Sequence, residues 1–265
     1  MSSSTAQAGN DPTARQRPQA RPAASRRIGL LDVRVATAGE AVAQIVASVG
    51  AGEARIFGFC NAHTVNMAAA DPAFANAAAR ATLFNDGIGV DLASRWLYGA
   101  PFPDNLNGTD LTPAVLAALP PGTPVYLLGS PPGVAAEAQA ALAARFPQCR
   151  FVGADHGFLA PDDEPAVLAR IQASGARLVL VGMGHPYQEL WAARNVAPLG
   201  ATIMCIGAFL DFSAGRVPRA PGWARRARIE WLYRLAVEPR RLARRYLIGN
   251  AAFLLAVARQ RARRT

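Results

Sequence analysis

The chain contains no lysine; all 28 of its basic residues are arginines. Arg presents a planar, permanently charged fork to phosphate, whether in a nucleotide, a diphosphate or a lipid headgroup. A genomic base composition that favours Ala, Gly, Pro and Arg codons accounts for the same choice. Cysteine is scarce: Cys60, Cys149 and Cys205 are widely spaced and odd in number. They exclude a disulfide framework or a zinc-ligand spacing and fit a reducing cytosolic setting. The three histidines, His63, His156 and His185, fall in separate loops without a shared helix-face spacing, so no metal site is expected. No Asp-x-Asp motif holds a divalent ion; Asp162-Asp163-Glu164 reads as an exposed helix start. The dinucleotide fingerprint Gly-x-Gly-x-x-Gly is missing. No apolar run precedes Ile28, so no secretory signal is expected there. The longest candidate, Leu247 to Ala258, is interrupted by Gly249 and Asn250, and a bilayer span takes about 20 apolar residues.

What is present is charge of one sign at one end. Residues 216–265 hold fourteen Arg against two acids, Glu230 and Glu238, whereas residues 28–215 hold nine Arg against fifteen acids. The overall charge of +10 is therefore local, and it points to an anionic partner. At 265 residues with 51% hydrophobic content, the chain can bury a substantial core. The expected organisation is a disordered basic tail over 1–27, an α/β core over 28–215, and an Arg-rich helical appendage over 216–265.

Within the core, short β-like runs alternate with Ala-rich helical segments, which predicts a Rossmann-like parallel sheet flanked by helices. Strands are expected at Arg55–Cys60, Ala81–Phe84, Pro124–Gly129, Cys149–Gly153, Arg177–Gly182 and Ala201–Ile206. One helix is expected from Met67 to Arg80. Open α/β sheets place ligands on the loops that follow strands, which draws attention to several positions. Asp86, between an apolar strand and an apolar helix, suits either turn chemistry or a general base in a cleft. Thr109 and Asp110 open a helix as N-cap candidates, or face a diphosphate or sugar. Gly129 begins a Gly-Ser-Pro-Pro-Gly turn in a βαβ unit. Gly182, Gly184 and Pro186 form a loop that a ligand can approach closely, with Gln188 able to pair with a base or sugar and Glu189 able to cap the helix. Asp211 follows the last strand.

Asn61, Asp86-Gly87-Ile88-Gly89, Gly108-Thr109-Asp110-Leu111, Gly182-Met183-Gly184, Pro186, Gln188-Glu189, Gly207 to Gly215, Arg219-Ala220-Pro221, Glu230-Trp231 through Arg234, Glu238-Pro239-Arg240-Arg241 and Arg244-Arg245-Tyr246 occur in that order. Together they resemble the WecG/TagA/CpsF glycosyltransferases, glycosyltransferase family 26, over roughly Ile28 to Phe253. The family often carries a Thr just before the Asn matched by Asn61, where Phe59 and Cys60 stand here, so Thr64 is a candidate substitute. A usually basic position is Tyr187.

The resemblance implies an inverting transfer of a sugar from a UDP donor to a lipid-diphosphate-linked saccharide, without a metal or other cofactor, at the cytoplasmic face of the inner membrane. The donors it implies are UDP-N-acetylmannosamine, its uronic acid, or UDP-glucose. It puts the catalytic aspartate at Asp86, with Asn61 and Thr64 beside it, and the nucleotide loop at Gly184 to Glu189. Arg219, Arg234, Arg241 and Arg244 of the appendage are the expected phosphate contacts. Apolar residues around Arg clusters in the last helix favour an interfacial segment on an anionic membrane; for Trp231 and Leu235, core packing is an equal reading. No nucleic-acid partner is expected, and the oligomeric state, homo-oligomer included, stays open. A nicotinamide oxidoreductase and a basic polyanion-binding module are the competing classes.

Overall fold

Ile56–Cys60 (β3) and Leu178–Gly182 (β7) are buried at every residue, the pattern of parallel strands covered on both faces. The computed structural model describes residues 24–222, 224, 230–237, 239 and 248–264. The other strands are Ser25–Ile28 (β1), Leu31–Arg34 (β2), Ala81–Asn85 (β4), Pro124–Gly129 (β5), Arg150–Asp155 (β6) and Thr202–Cys205 (β8). They form one sheet in the order β1-β2-β4-β3-β8-β7-β5-β6. Only the β1–β2 pairing is antiparallel. The α/β expectation holds, and the six expected strands are found within one or two residues of their bounds.

Alternation along each strand sends side chains to opposite faces. Leu178 and Leu180 of β7 pack with Ala38–Ala51 (α1), Gly108–Ala118 (α5), Val134–Arg145 (α6) and Phe209–Ser213 (α9). Val179 and Val181 pack instead with Glu164–Ser174 (α7) and Tyr187–Leu199 (α8). A third cluster joins the β1–β2 hairpin to Ala62–Ala70 (α2), Pro72–Ala79 (α3), Ile88–Tyr98 (α4) and Gly249–Ala262 (α11). Glu230–Val237 (α10) precedes that last helix.

Three local expectations change. The single helix expected from Met67 to Arg80 is two, because Asp71 accepts from the backbone N–H groups of Ala73 and Phe74 and Pro72 starts a new helix. The N-cap of α5 is Asn107 rather than Thr109 or Asp110: its Oδ1 accepts from Asp110 N at 2.9 Å. The ordered fold also begins before Ile28. Arg26 lies in β1, donates to Ser94 Oγ and to the carbonyls of Ala100 and Pro101, and stacks over Tyr98 and Phe102. An arginine-rich segment reads as a solvated tail unless the ring and carbonyl partners, about 70 residues away, are known.

The appendage is tied to the core at several points. Phe253 and Val257 of α11 are buried in the hairpin cluster, and Asn66 Nδ2 donates to Gly249 O at 2.7 Å. Gln260 accepts from Gly29 N and donates to Arg27 O, closing the hairpin turn. Arg261 and Arg264 donate to Trp96 O and Leu97 O at the end of α4, where unpaired carbonyls and the negative end of the helix dipole favour cations. The interfacial-segment expectation for this helix is thus qualified: one face belongs to the core. Among the described residues no helix is long and apolar enough to cross a membrane.

Two stability measurements follow from this packing. Phe253→Ala removes a fully buried ring and should destabilise the protein by about 3–5 kcal/mol, read as a lower denaturation midpoint. Gly129 has φ +155°, and a Cβ there would lie 2.4 Å from Gly182 O. Gly129→Ala should therefore cost more than about 2 kcal/mol by the same measurement, through backbone displacement at the β5–β7 seam.

Candidate functional site

The carboxyl ends of β3 and β4 bring Asn61 and Asp86 together. Asn61 is the N-cap of α2: its Oδ1 accepts from His63 N at 3.0 Å and Thr64 N at 3.2 Å. With the oxygen committed to the helix, the amide NH2 is turned outward, and it donates to Asp86 Oδ2 at 3.2 Å. Asp86 is held from behind as well, since its N–H donates to Cys60 O at 2.8 Å. Thr64 completes the capping box. Its Oγ1 accepts from Asn61 N and donates to Asn61 O, both at 2.8 Å, and the residue is buried. It acts as a support for Asn61.

Two cavities meet at Asp86. One, of about 320 Å³, is lined by Asn61, His63 and Asp86, by Ile88 and Leu92 of α4, by Asn105, Asn107 and Asp110, and by Glu230, Trp231, Asn250, Phe253 and Leu254 from the appendage. The other, of about 120 Å³, is lined by Phe59, Asp86, Asn107, Thr109, His185, Gln188, Gly207, Ala208 and Glu230 among others. Asp86, Asn107 and Glu230 belong to both walls. The loop that carries Asn105 and Asn107 is fixed by Asn85 and Gly87. Asn85 Nδ2 donates to Asp104 O, and Gly87 N donates to Asn105 Oδ1, each at 2.8 Å.

The loops after β7 and β8 are joined by side chains. Gln188 is buried, and its Oε1 accepts from Gly207 N at 3.1 Å while its Nε2 donates to Glu189 Oε1 at 2.7 Å. The same Glu189 oxygen lies 2.8 Å from His185 Nδ1. Glu189 is therefore a buried partner of His185 rather than a helix cap, and Gln188 has its amide engaged by protein. His185 faces the smaller cavity and sets its ring edge against His63 of the larger one, centroids 6.1 Å apart. Asp211 accepts from Ser130 Oγ at 3.0 Å.

Of the residues singled out in the sequence, Asn61, Asp86, Thr109, Asp110 and Gln188 line the cavities, whereas Thr64, Gly182, Gly184, Pro186, Glu189 and Asp211 do not. Gly129 serves close strand approach. Arg219 donates to Asp110 Oδ1, an ion pair at the rim of the larger cavity. Arg241, Arg244 and the side chain of Arg234 lie outside the described residues. The cavity walls also contain Asn107, His63, His185, Glu230 and Trp231, which sequence reasoning did not assign to the site. Glu230 had a signal, being one of two acids among fourteen arginines. His185 had one too, lying inside the glycine-proline loop. Among the described residues no group of three or more His, Cys, Asp or Glu could hold a metal ion.

Two cysteines adjoin the site, Cys60 next to Asn61 and Cys205 in the wall of the smaller cavity, and both are buried. Burial pushes the Cys60 thiol up to about 12, with Asp86 adding to the rise and the Thr64 hydrogen bond opposing it. Burial, then the charge of Glu189, pushes Cys205 well above its ordinary value, and burial raises Cys149. Thiolate nucleophiles are thus disfavoured at neutral pH. The folded protein should resist iodoacetamide at pH 8 and take up three labels per chain once denatured, as counted by mass spectrometry; rapid native labelling would contradict this burial.

The site therefore has a carboxylate at the junction of two cavities, on loops that follow adjacent parallel strands. This is the arrangement expected where a group passes between two bound molecules. The family model for the glycosyl transferase WecG/TagA/CpsF family matches residues 27–265, nearly the whole chain. The chain belongs to the WecG/TagA/CpsF family of glycosyltransferases.

Proposed function

We propose that this glycosyltransferase moves a hexose from a UDP-sugar to an undecaprenyl-diphosphate-linked saccharide in bacterial cell-surface or exopolysaccharide synthesis, inverting the anomeric centre without a metal. N-acetylmannosamine, its uronic acid and glucose are the sugars proposed. The observation that carries the reading is that Asp86 stands in the common wall of two cavities. The smaller, more polar cavity suits the donor, and the larger suits the acceptor. Family membership supports the coarser part, a nucleotide-sugar donor and a lipid-linked acceptor.

In this reading Asp86 takes the proton of the acceptor hydroxyl as that oxygen forms its bond to the anomeric carbon. The bond from that carbon to the UDP oxygen breaks on the opposite side, so a single displacement inverts the centre. Asn61 holds the base through its 3.2 Å hydrogen bond, and Thr64 holds Asn61. The departing diphosphate needs positive charge. Arg234, Arg241 and Arg244 are proposed to supply it from the appendage, with Arg219 at the rim. Glu230 brings a second carboxylate into both walls, so part of this arginine charge is offset within the site. The appendage is also proposed to meet the anionic inner face of the plasma membrane from the cytoplasm, where basic residues contribute about 1 kcal/mol each.

The test offers purified enzyme a panel of UDP-sugars with a diphospholipid-linked saccharide, and measures UDP release and product mass. Wild type should transfer one sugar. Asp86→Asn should lose about 10²- to 10⁴-fold in turnover while still binding UDP. Undiminished turnover by Asp86→Asn would remove the base assignment, and no transfer from any donor would remove the substrate reading.

A further inference from the structure

We propose that the larger cavity seats the lipid arm of the acceptor, with the seam between α4 and α11 as the track along which that arm leaves toward the membrane. This rests on the transfer reading above and adds the place and the residues. The cavity lining sets Asp86 and Asn61 in one wall with an apolar group, Ile88 and Leu92 of α4 and Phe253 and Leu254 of α11. Leu92 and Leu254 are 50% and 47% exposed although both line the cavity. The α4 wall continues beyond it: Ile88, Leu92 and Trp96 are spaced four residues apart and all are exposed. They make one stripe on one helix face, about 12 Å long at 1.5 Å per residue. At its far end the Arg261 guanidinium lies over the Trp96 ring, 5.7 Å from its centroid, an aromatic and cationic pairing suited to a headgroup boundary.

The stripe begins at Ile88, two residues after Asp86 and in the same cavity wall, which selects the occupant. A molecule that brings a hydroxyl to Asp86 and also covers Leu92 and Leu254 must be polar at one end and hydrocarbon beyond. A saccharide alone would set its hydroxyls against Leu92 and Leu254, whereas a lipid-linked saccharide satisfies both ends. Burying this apolar surface under a hydrocarbon chain is favourable in proportion to its area, so chain length should be read by these residues.

The experiment compares two acceptors with the same saccharide diphosphate, one on a long isoprenoid and one on an ethyl group, in micelles of one detergent composition. Wild type should prefer the isoprenoid acceptor in kcat/KM. The pair Leu92→Ser with Leu254→Ser should lower that preference about tenfold, through KM. Leu30→Ser, an equally exposed leucine at the hairpin turn, should leave the preference intact. As a readout independent of folding in the variants, a diazirine on the first isoprene unit should label peptides of α4 or α11 in the wild-type chain. Preference retained by the double variant, or label confined to other elements, would overturn the track. If wild type transfers to neither acceptor, the transfer reading fails by itself, and the labelled peptides still decide the track.

Discussion

Among the described residues, the four-residue strand Thr202–Cys205 joins the two halves of the sheet. On one side it pairs with β3 through Ile203 and Met204, and on the other with β7 along its whole length. The smaller cavity of the site depends on that junction. Asn61 and Asp86 belong to the half containing β3 and β4, while His185, Gln188 and Ser130 belong to the half containing β7 and β5. The hydrogen bond from Gly207 N to Gln188 Oε1 then ties the loop after the joining strand to the first turn of α8, the helix that follows its neighbour β7. The smaller cavity has walls from both halves and exists only while β8 holds them in register.

The same dependence explains what could be read from the sequence. IFGFC and LVLVG are short uninterrupted apolar runs, and their burial on both faces is visible in composition alone. The strand order is not. Nothing local in TIMC says that the last strand of the core enters its centre, because neighbouring positions in a parallel sheet are set by packing between distant segments. The hairpin at Ser25–Arg34 was hidden for a related reason. Its first strand has a single fully buried residue, Ile28, and its arginines look solvated until the carbonyls and rings that Arg26 reaches are in view.

The site divides along a similar line. Asp86 drew attention because its place between an apolar strand and an apolar helix suits a cleft carboxylate as well as a turn, and Asn61 because its motif resembles the family's. Their division of labour was not legible: one oxygen of Asn61 caps a helix, and that fixes where its NH2 points. Gln188 and Glu189 show the converse. Gln188 suggested pairing with a base or sugar and Glu189 a helix cap; both are mostly buried and bond one another, while Gln188 also lines the smaller cavity. Thr109 shows that a residue displaced from a cap by its neighbour Asn107 can still face the cavity.

The appendage carries fourteen arginines, yet a formal count overstates the field that an anionic surface would experience. Arg216 and Arg219 are paired with Glu137 and Asp110 of the core. Arg261 and Arg264 are anchored at the carbonyl end of α4, where the helix dipole offsets part of their charge. These four are fixed in direction by the fold, and two have their charge cancelled at contact distance. Ionic strength therefore acts on fewer free cations than the sequence suggests. Attachment that combines this reduced charge with an apolar stripe would weaken with salt along a shallower slope than a free polybasic segment of equal arginine content.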